Sequence, residues 1–229
     1  MRFGVLGTGW VGKAIATKLI EVGHEVRLGS RHTDSPVVAQ WVKENGDRAS
    51  GGTLAEAAEF AEIVFNCSAG LGTMEALEAA GANNLADKII IDLANPVIAS
   101  GRIEPPTLDI ANIDSLGERI QRRYPASRVV KTLNTINFNV MVNPDLVPGD
   151  HVVFVSGDDQ DAKDQTAAIL GEFGWPADRI VDLGDITTAR GVEMYIGLFS
   201  RLFLKYRHVN FNITIVKDPD AVPILSPDS

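Results

Sequence analysis

The stretch Arg2-Phe3-Gly4-Val5-Leu6-Gly7-Thr8-Gly9-Trp10-Val11-Gly12-Lys13 decides how the rest of the chain is read. Its apolar start, Phe3 to Leu6, predicts a buried strand. The strand stops at Gly7, and Gly7, Gly9 and Gly12 then spell G-x-G-x-x-G. Behind the glycines, Val11, Ala14, Ile15, Leu19 and Val22 share one face at helical spacing. Gly23 stands where a helix C-cap belongs, and a second strand is expected from Glu25. Each glycine has its own task. Gly7 makes the tight turn, Gly9 lets the backbone approach a pyrophosphate, and Gly12 lets helix and strand pack closely. The first-turn amides and the helix dipole then face the phosphates. With a strand before it and a helix after it, the motif reads as a dinucleotide site.

The same residues nearly spell a phosphate loop of the form G-x-x-x-x-G-K-[ST]. Ala14 occupies the position whose hydroxyl holds Mg²⁺ in such loops, so that reading is set aside.

Alternation continues along the chain. The second strand, Glu25 to Leu28, is followed by a helix from Pro36 to Asn45 and a weak strand near Arg48-Ala49. Thr53 reads as the N-cap of a helix through Ala61, with Glu56 completing a capping box. Strands are expected at Ile63–Cys67, Lys88–Asp92, Arg128–Thr132, His151–Ser156 and Arg179–Asp182. Helices are expected at Thr73–Ala80, Ser115–Tyr124 and Asp159–Phe173. The long loop from Asn95 to Asp114, with Pro96, Pro105 and Pro106, reads as functional or mobile. This order predicts an α/β fold of the doubly wound Rossmann type, a mainly parallel sheet with helices on both faces.

The pattern changes after Thr188, which divides the chain into a nucleotide-binding domain over 1–187 and a helical extension over 188–229. Val192, Tyr195, Ile196, Phe199, Leu202, Phe203 and Tyr206 give one broad apolar helix face. That helix is expected to pack on the sheet edge or to join two copies of the chain. The tail from Asp218 is expected to be loosely ordered.

Composition narrows the functional classes. The 229-residue chain carries a net charge of −9 and no basic run, which argues against nucleic acid and membrane surfaces as partners. Cys67 is the single cysteine, so neither a disulfide framework nor a cysteine metal cluster is expected. The first strand begins at once after Met1, and no apolar run reaches membrane-spanning length. The expectation is a soluble cytoplasmic protein with no metal.

At the ribose end, versions of this fold that prefer NAD place an acidic residue at the end of the second strand. Here the segment is Arg27-Leu28-Gly29-Ser30-Arg31-His32-Thr33, and Asp34 falls beyond the strand end. Ser30 offers a hydroxyl and Arg31 a planar guanidinium, both suited to a 2′-phosphate. NADP(H) is therefore expected over NAD(H). Three further segments follow apolar strands and are small and polar: Asn66-Cys67-Ser68-Ala69-Gly70, Asp92-Leu93-Ala94-Asn95-Pro96 and Lys131-Thr132-Leu133-Asn134-Thr135-Ile136-Asn137. They are expected to line the cleft beyond the strand ends. Cys67 reads as a small buried hydrophobe rather than a nucleophile. Lys131 is the best acid–base candidate, with a structural or phosphate-binding role as its alternatives. His24 falls in a turn on the far side from the cleft, His151 begins a strand, and His208 comes too late in the chain to place.

Gly7-Thr8-Gly9-Trp10-Val11-Gly12, Gly23-His24-Glu25-Val26-Arg27-Leu28-Gly29-Ser30-Arg31, Ile91-Asp92-Leu93-Ala94-Asn95-Pro96 and Val129-Val130-Lys131-Thr132-Leu133-Asn134-Thr135-Ile136 together resemble the deazaflavin (coenzyme F-420)-dependent NADP oxidoreductases. The chain is similar also to the cytosolic domain of six-transmembrane metalloreductases. The resemblance implies that Thr8 to Val11, Ser30 and Arg31 hold NADP. It places Ser68, Asn95, Asn134 and Thr135 near the nicotinamide or the second substrate. Trp10 departs from it, since a small or polar residue is more usual there.

Three readings compete. The first is hydride exchange between NADPH and a deazaflavin or flavin-type acceptor. The second is a small-substrate dehydrogenase or imine reductase of the hydroxyacid or pyrroline-carboxylate type, which generally carries a larger helical C-terminal domain. The third is a non-enzymatic NADP sensor.

Overall fold

The computed structural model describes residues 1–98 and 106–221. Strand β1 (Arg2–Leu6) leads through the glycine loop into α1 (Trp10–Glu21), β2 (Glu25–Ser30), α2 (Pro36–Asn45) and β3 (Ala49–Thr53). Then come α3 (Leu54–Phe60), β4 (Ile63–Asn66), α4 (Thr73–Ala80), α5 (Ala82–Leu85) and β5 (Ile89–Asp92). A small antiparallel pair, β6 (Val97–Ile98) and β7 (Thr107–Leu108), precedes α6 (Leu116–Arg123) and β8 (Arg128–Thr132). The chain continues with α7 (Phe138–Val142), β9 (Val153–Ser156), α8 (Gln160–Glu172), β10 (Ile180–Asp182), α9 (Ala189–Met194) and α10 (Ile196–Tyr206).

The strands form one eight-stranded sheet in the order β10-β9-β8-β5-β4-β1-β2-β3. All neighbouring pairs are parallel except β8 with β9. Chain order reverses between β1 and β4, which fixes the switch point at their carboxyl ends. The expected Rossmann-type α/β class is the one observed. Strand residues alternate between two cores. Phe3, Val5, Phe65, Ile91 and Val130 face α1, α2, α7 and α8, while Val64, Ile90 and Val129 face α3, α4, α5, α6 and α9. Phe65 lies between Phe3 and Phe173, with ring centroids 5.9 and 6.4 Å away. Burying each such ring stabilises the fold by about 1.5–3 kcal/mol.

Several expectations shift in detail. β2 runs through Ser30 rather than ending at Leu28, so Ser30 is a buried strand residue. The capping box at Thr53 forms as expected, with the Glu56 carboxylate on the Thr53 amide and the Glu56 amide on the Thr53 hydroxyl. The loop from Asn95 to Asp114 contains the β6–β7 pair, and Pro105 lies outside the described residues. Helix α7 was not expected at all: it is a five-residue helix, capped by the Asn137 side chain, too short to display a period. The C-terminal helix divides at Tyr195 into α9 and α10. Ala189 and Val192 of α9 join the core, whereas no residue of α10 is buried and Leu198, Phe203 and Tyr206 are exposed. After α10 the chain returns to β9, where the Val152 amide donates to the Ile213 carbonyl at 3.0 Å. Residues 222–229 of the tail lie outside the described residues.

Candidate cofactor and substrate cleft

Gly7 and Gly12 are dictated by local sterics. Gly7 has φ +124°, and a Cβ there would lie 2.6 Å from the Cys67 carbonyl oxygen. A Cβ on Gly12 would lie 1.9 Å from the Gly7 carbonyl oxygen, so α1 comes this close to β1 only with glycine. At Gly9 a Cβ would meet nothing within 4 Å, which leaves open space directly before the helix. The first bond of α1 runs from the Lys13 amide to the Gly9 carbonyl at 3.0 Å, so the amides of Trp10, Val11 and Gly12 precede it. No side chain caps this end and no carboxylate stands in its first turn. An open cradle of amides at a positive helix end fits a pyrophosphate. Thr8 stands half-buried beside it, and Val11 packs partly into the core.

Beside this loop, the Gly7 amide donates to the Gly29 carbonyl at 3.2 Å, tying the cradle to the end of β2. There the Ser30 hydroxyl accepts from the His32 amide at 3.1 Å and shapes the turn. Arg31 is exposed and enters no ion pair among the described residues. A buried hydroxyl next to a guanidinium unpaired among the described residues fits a ribose 2′-phosphate.

On the other side of the cradle, the loops after β4, β5 and β8 touch one another in turn. A Cβ on Gly70 would lie 1.7 Å from the Asn95 carbonyl oxygen, so the β4 and β5 loops meet at that glycine. The Asn95 amide nitrogen donates to the Asn134 carbonyl at 2.8 Å, and the Asn134 side chain returns a bond to Asn95 Oδ1 at 2.9 Å. The second hydrogen of Asn134 reaches the Val192 carbonyl at 3.0 Å, which anchors α9 to the cleft. Leu133, just before it, is held at φ +60°, a strained geometry for leucine that costs about 1–3 kcal/mol and turns the chain toward the cleft. Thr135 and Pro96 are buried in this rim, and Ala69 is exposed on it. The structure thus brings Gly7–Gly12, Cys67–Ala69, Asn95–Pro96 and Asn134–Thr135 onto one continuous edge, with Ser30–Arg31 at its far end.

Beneath this edge runs a buried polar row that sequence reading did not assemble. Asn66, Asp92 and Lys131 are aligned in register across β4, β5 and β8. Lys131 is fully buried, and its ammonium has three acceptors: Asp92 Oδ2 at 2.7 Å, Glu193 Oε1 at 2.8 Å and the Ala94 carbonyl. That satisfies all three of its donors. Asp92 Oδ1 accepts from the Asn66 amide at 2.6 Å and from the Ala94 amide at 3.2 Å. Asn66 Oδ1 in turn accepts the Ser68 hydroxyl at 2.6 Å, and Ser68 and Thr73 hydroxyls are 3.0 Å apart. Glu193 closes the other end by accepting the amides of Leu116 and Gly117 at 2.8 and 3.0 Å. Its negative charge therefore sits at the positive end of α6.

Burial pushes the Lys131 ammonium toward neutrality, but the Asp92 and Glu193 carboxylates outweigh it and hold the group above the ordinary lysine range. Of the three roles open to Lys131, its burial and its three acceptors fit the structural one best. Burial first, and the Asp92 charge second, push the Cys67 thiol up, so it is a poor thiolate at neutral pH, as expected of a hydrophobe. A separate groove between α8 and β10, about 380 Å³ in volume, lies at the β9–β10 edge, and its Lys163 is paired with Asp182. No candidate residue lines it.

Fold, cradle and basic ribose end fit a dinucleotide-binding protein of the Rossmann type. A family profile described as NADP oxidoreductase, coenzyme F420-dependent, matches residues 2–96. The F420-dependent NADP reductase of Methanothermobacter marburgensis is 29% identical over 233 residues, covering 96% of this chain and 100% of that protein. A solved structure from Arthrobacter sp. FB24, described as a candidate F420-dependent NADP reductase, is 44% identical with a TM-score of 0.87, covering 94% of this chain and 99% of that one. Metalloreductase STEAP3 of Rattus norvegicus is 28% identical over 199 residues, which is 84% of this chain but 36% of that protein. The chain belongs to the coenzyme F420-dependent NADP oxidoreductase family, and it is an NADP-dependent oxidoreductase.

Proposed function

We propose that the protein transfers a hydride between NADPH and a planar deazaflavin of the coenzyme F420 type, with flavins as related acceptors. The observation that carries this reading is the state of the ionisable groups at the cleft. Asp92, Lys131 and Glu193 are consumed by one another below the loops, and the side chains on the rim are Ser68, Asn95, Asn134 and Thr135. Among the described residues, none of these is a general acid of the kind carbonyl or imine reduction needs. Ring-to-ring transfer asks less of the protein, since the cofactors carry the chemistry and the protein orients them.

In this reading the amides of Trp10 to Gly12 hold the pyrophosphate, Ser30 and Arg31 hold the 2′-phosphate, and the Asn95–Asn134 clamp orients the nicotinamide end beside Cys67, Ser68, Ala69, Pro96 and Thr135. Bound NADPH supplies two electrons and a hydrogen as hydride, and a solvent proton completes the reduced acceptor ring. The exposed apolar side of α10 is taken as the contact between two copies of the chain, which sedimentation velocity reads directly as a dimer or a monomer. The test of function is an acceptor panel followed by NADPH absorbance. Turnover is expected with F420 or FMN. Turnover only with a keto acid or cyclic imine favours a small-substrate reductase, and tight NADPH binding with no turnover favours a sensor.

A further inference from the structure

Trp10 opens α1, inside the glycine loop, yet its side chain is 73% exposed. The other two tryptophans, Trp41 and Trp175, are buried core residues at 2% each. An indole left in water is a liability for a fold and asks for an explanation. Its neighbours give one. The Phe138 ring stacks on Trp10 at 6.0 Å between centroids and 22° between planes. The Lys13 ammonium lies over the indole ring, 5.1 Å from its centre, and enters no ion pair among the described residues. Phe138 is the first residue of α7, whose start is fixed by Asn137, and it follows directly from the Asn134–Thr135 rim. Trp10 therefore leans toward β8 and its loop, away from β2 and the ribose end. The stacked pair stands on the side of the sheet that carries α1 and α7, opposite the Asn66–Asp92–Lys131 row.

We infer that Trp10, backed by Phe138, is the stacking surface for the planar ring of the hydride acceptor, and that Lys13 faces that acceptor's anionic side chain. The occupant follows from what is placed there: a solvent-exposed aromatic surface that a fused ring reaches by displacing the flexible Lys13 side chain from over the indole, and the Lys13 cation itself for the ring's charged tail. The pyrophosphate of the dinucleotide is met by the amides of the same turn, so side chain and backbone of Trp10 serve the two substrates separately. This rests on the proposed ring acceptor, and its failure can be told apart from failure of that proposal.

The test uses the full chain with F420 and FMN as acceptors. Trp10→Ala should raise the acceptor KM about tenfold at saturating NADPH, the upper end of what one stacked aromatic pair supplies, and Trp10→Phe should recover most of it. The dissociation constant for NADPH should stay within about twofold, because the backbone amide is retained. A second readout needs no turnover. With Trp41 and Trp175 buried, acrylamide quenches chiefly Trp10, and bound F420 should protect that emission while NADPH alone does not. Wild-type turnover with an unchanged acceptor KM in Trp10→Ala overturns this inference alone, as does protection by NADPH alone. Absence of wild-type turnover and of protection with either ring overturns both proposals together.

Discussion

Replacing Lys131 by methionine removes the cation from between two buried carboxylates while keeping most of the side-chain volume. Asp92 and Glu193 lie 2.7 and 2.8 Å from its ammonium, with all three side chains at most 2% exposed. Breaking one buried ion pair by deleting a partner costs about 3–5 kcal/mol, because the remaining charge is left unpaired. Here two charges lose the same partner, although Glu193 keeps the α6 amides and Asp92 keeps Asn66, so the loss should fall near about 4–5 kcal/mol. That is a large part of the about 5–15 kcal/mol by which a domain of this kind is stable. Urea unfolding followed by circular dichroism reads it.

The pH dependence has a definite sign. In the native protein the Lys131 pKa is raised over the unfolded value, so its contribution is complete below about pH 10.4 and is lost as pH rises through the folded pKa. In Lys131→Met the unpaired carboxylates bind protons more readily folded than unfolded, so the variant's deficit should shrink between pH 8 and pH 5. Glu193→Gln is the milder companion. It keeps one acceptor oxygen where Glu193 has two, so one of the Leu116 and Gly117 amides loses its partner while Lys131 stays paired with Asp92, and a loss of about 1–3 kcal/mol is expected. A Lys131→Met deficit under about 1 kcal/mol at neutral pH, or one that grows on acidification, would refute the buried-pair reasoning.

Other perturbations separate binding from folding. Arg31→Ala should weaken NADPH binding by about 10- to 100-fold and leave NADH unchanged, since one charge-assisted hydrogen bond is worth about 1.5–3 kcal/mol; isothermal titration with both cofactors checks it. Gly9→Ala should fold with a melting temperature near that of the wild type, because its Cβ meets nothing, yet lose NADPH affinity. Gly12→Ala, whose Cβ would lie 1.9 Å from the Gly7 carbonyl, should be severely destabilised in the same melting assay. Tyr195→Phe should stabilise the fold by up to about 1 kcal/mol in urea titration, because the Tyr195 hydroxyl is buried without a partner among the described residues.

The cradle was legible in sequence because its causes are local. Gly7, Gly9 and Gly12 act within one turn, and the helix after them repeats every few residues. The end of β2 was less legible: the fall in hydrophobicity after Leu28 reads as a stop, yet Gly29 and buried Ser30 continue the strand. The buried row was not, because Glu193 reaches the Leu116 and Gly117 amides across the fold and Lys131 meets Asp92 only through sheet order. A signal existed even so: the apolar runs of β4, β5 and β8 all carry a polar residue at their carboxyl ends, and parallel register aligns Asn66, Asp92 and Lys131. Helix α7 and the turn at Leu133 left no periodic trace, since a five-residue helix and a single positive φ are set by packing. The apolar face after Thr188 was read correctly as helical. Its break at Tyr195 was not, because both halves share one apolar pattern.

Hydride transfer from nicotinamide to an acceptor ring is tested most directly with NADPH deuterated at the transferred position of the nicotinamide. In a single turnover with F420, deuterium should appear on the reduced deazaflavin in full, with none released to water, as mass spectrometry of the product would show. Deuterium found in solvent, or kept on the nucleotide while another molecule is reduced, would contradict direct transfer between the two rings.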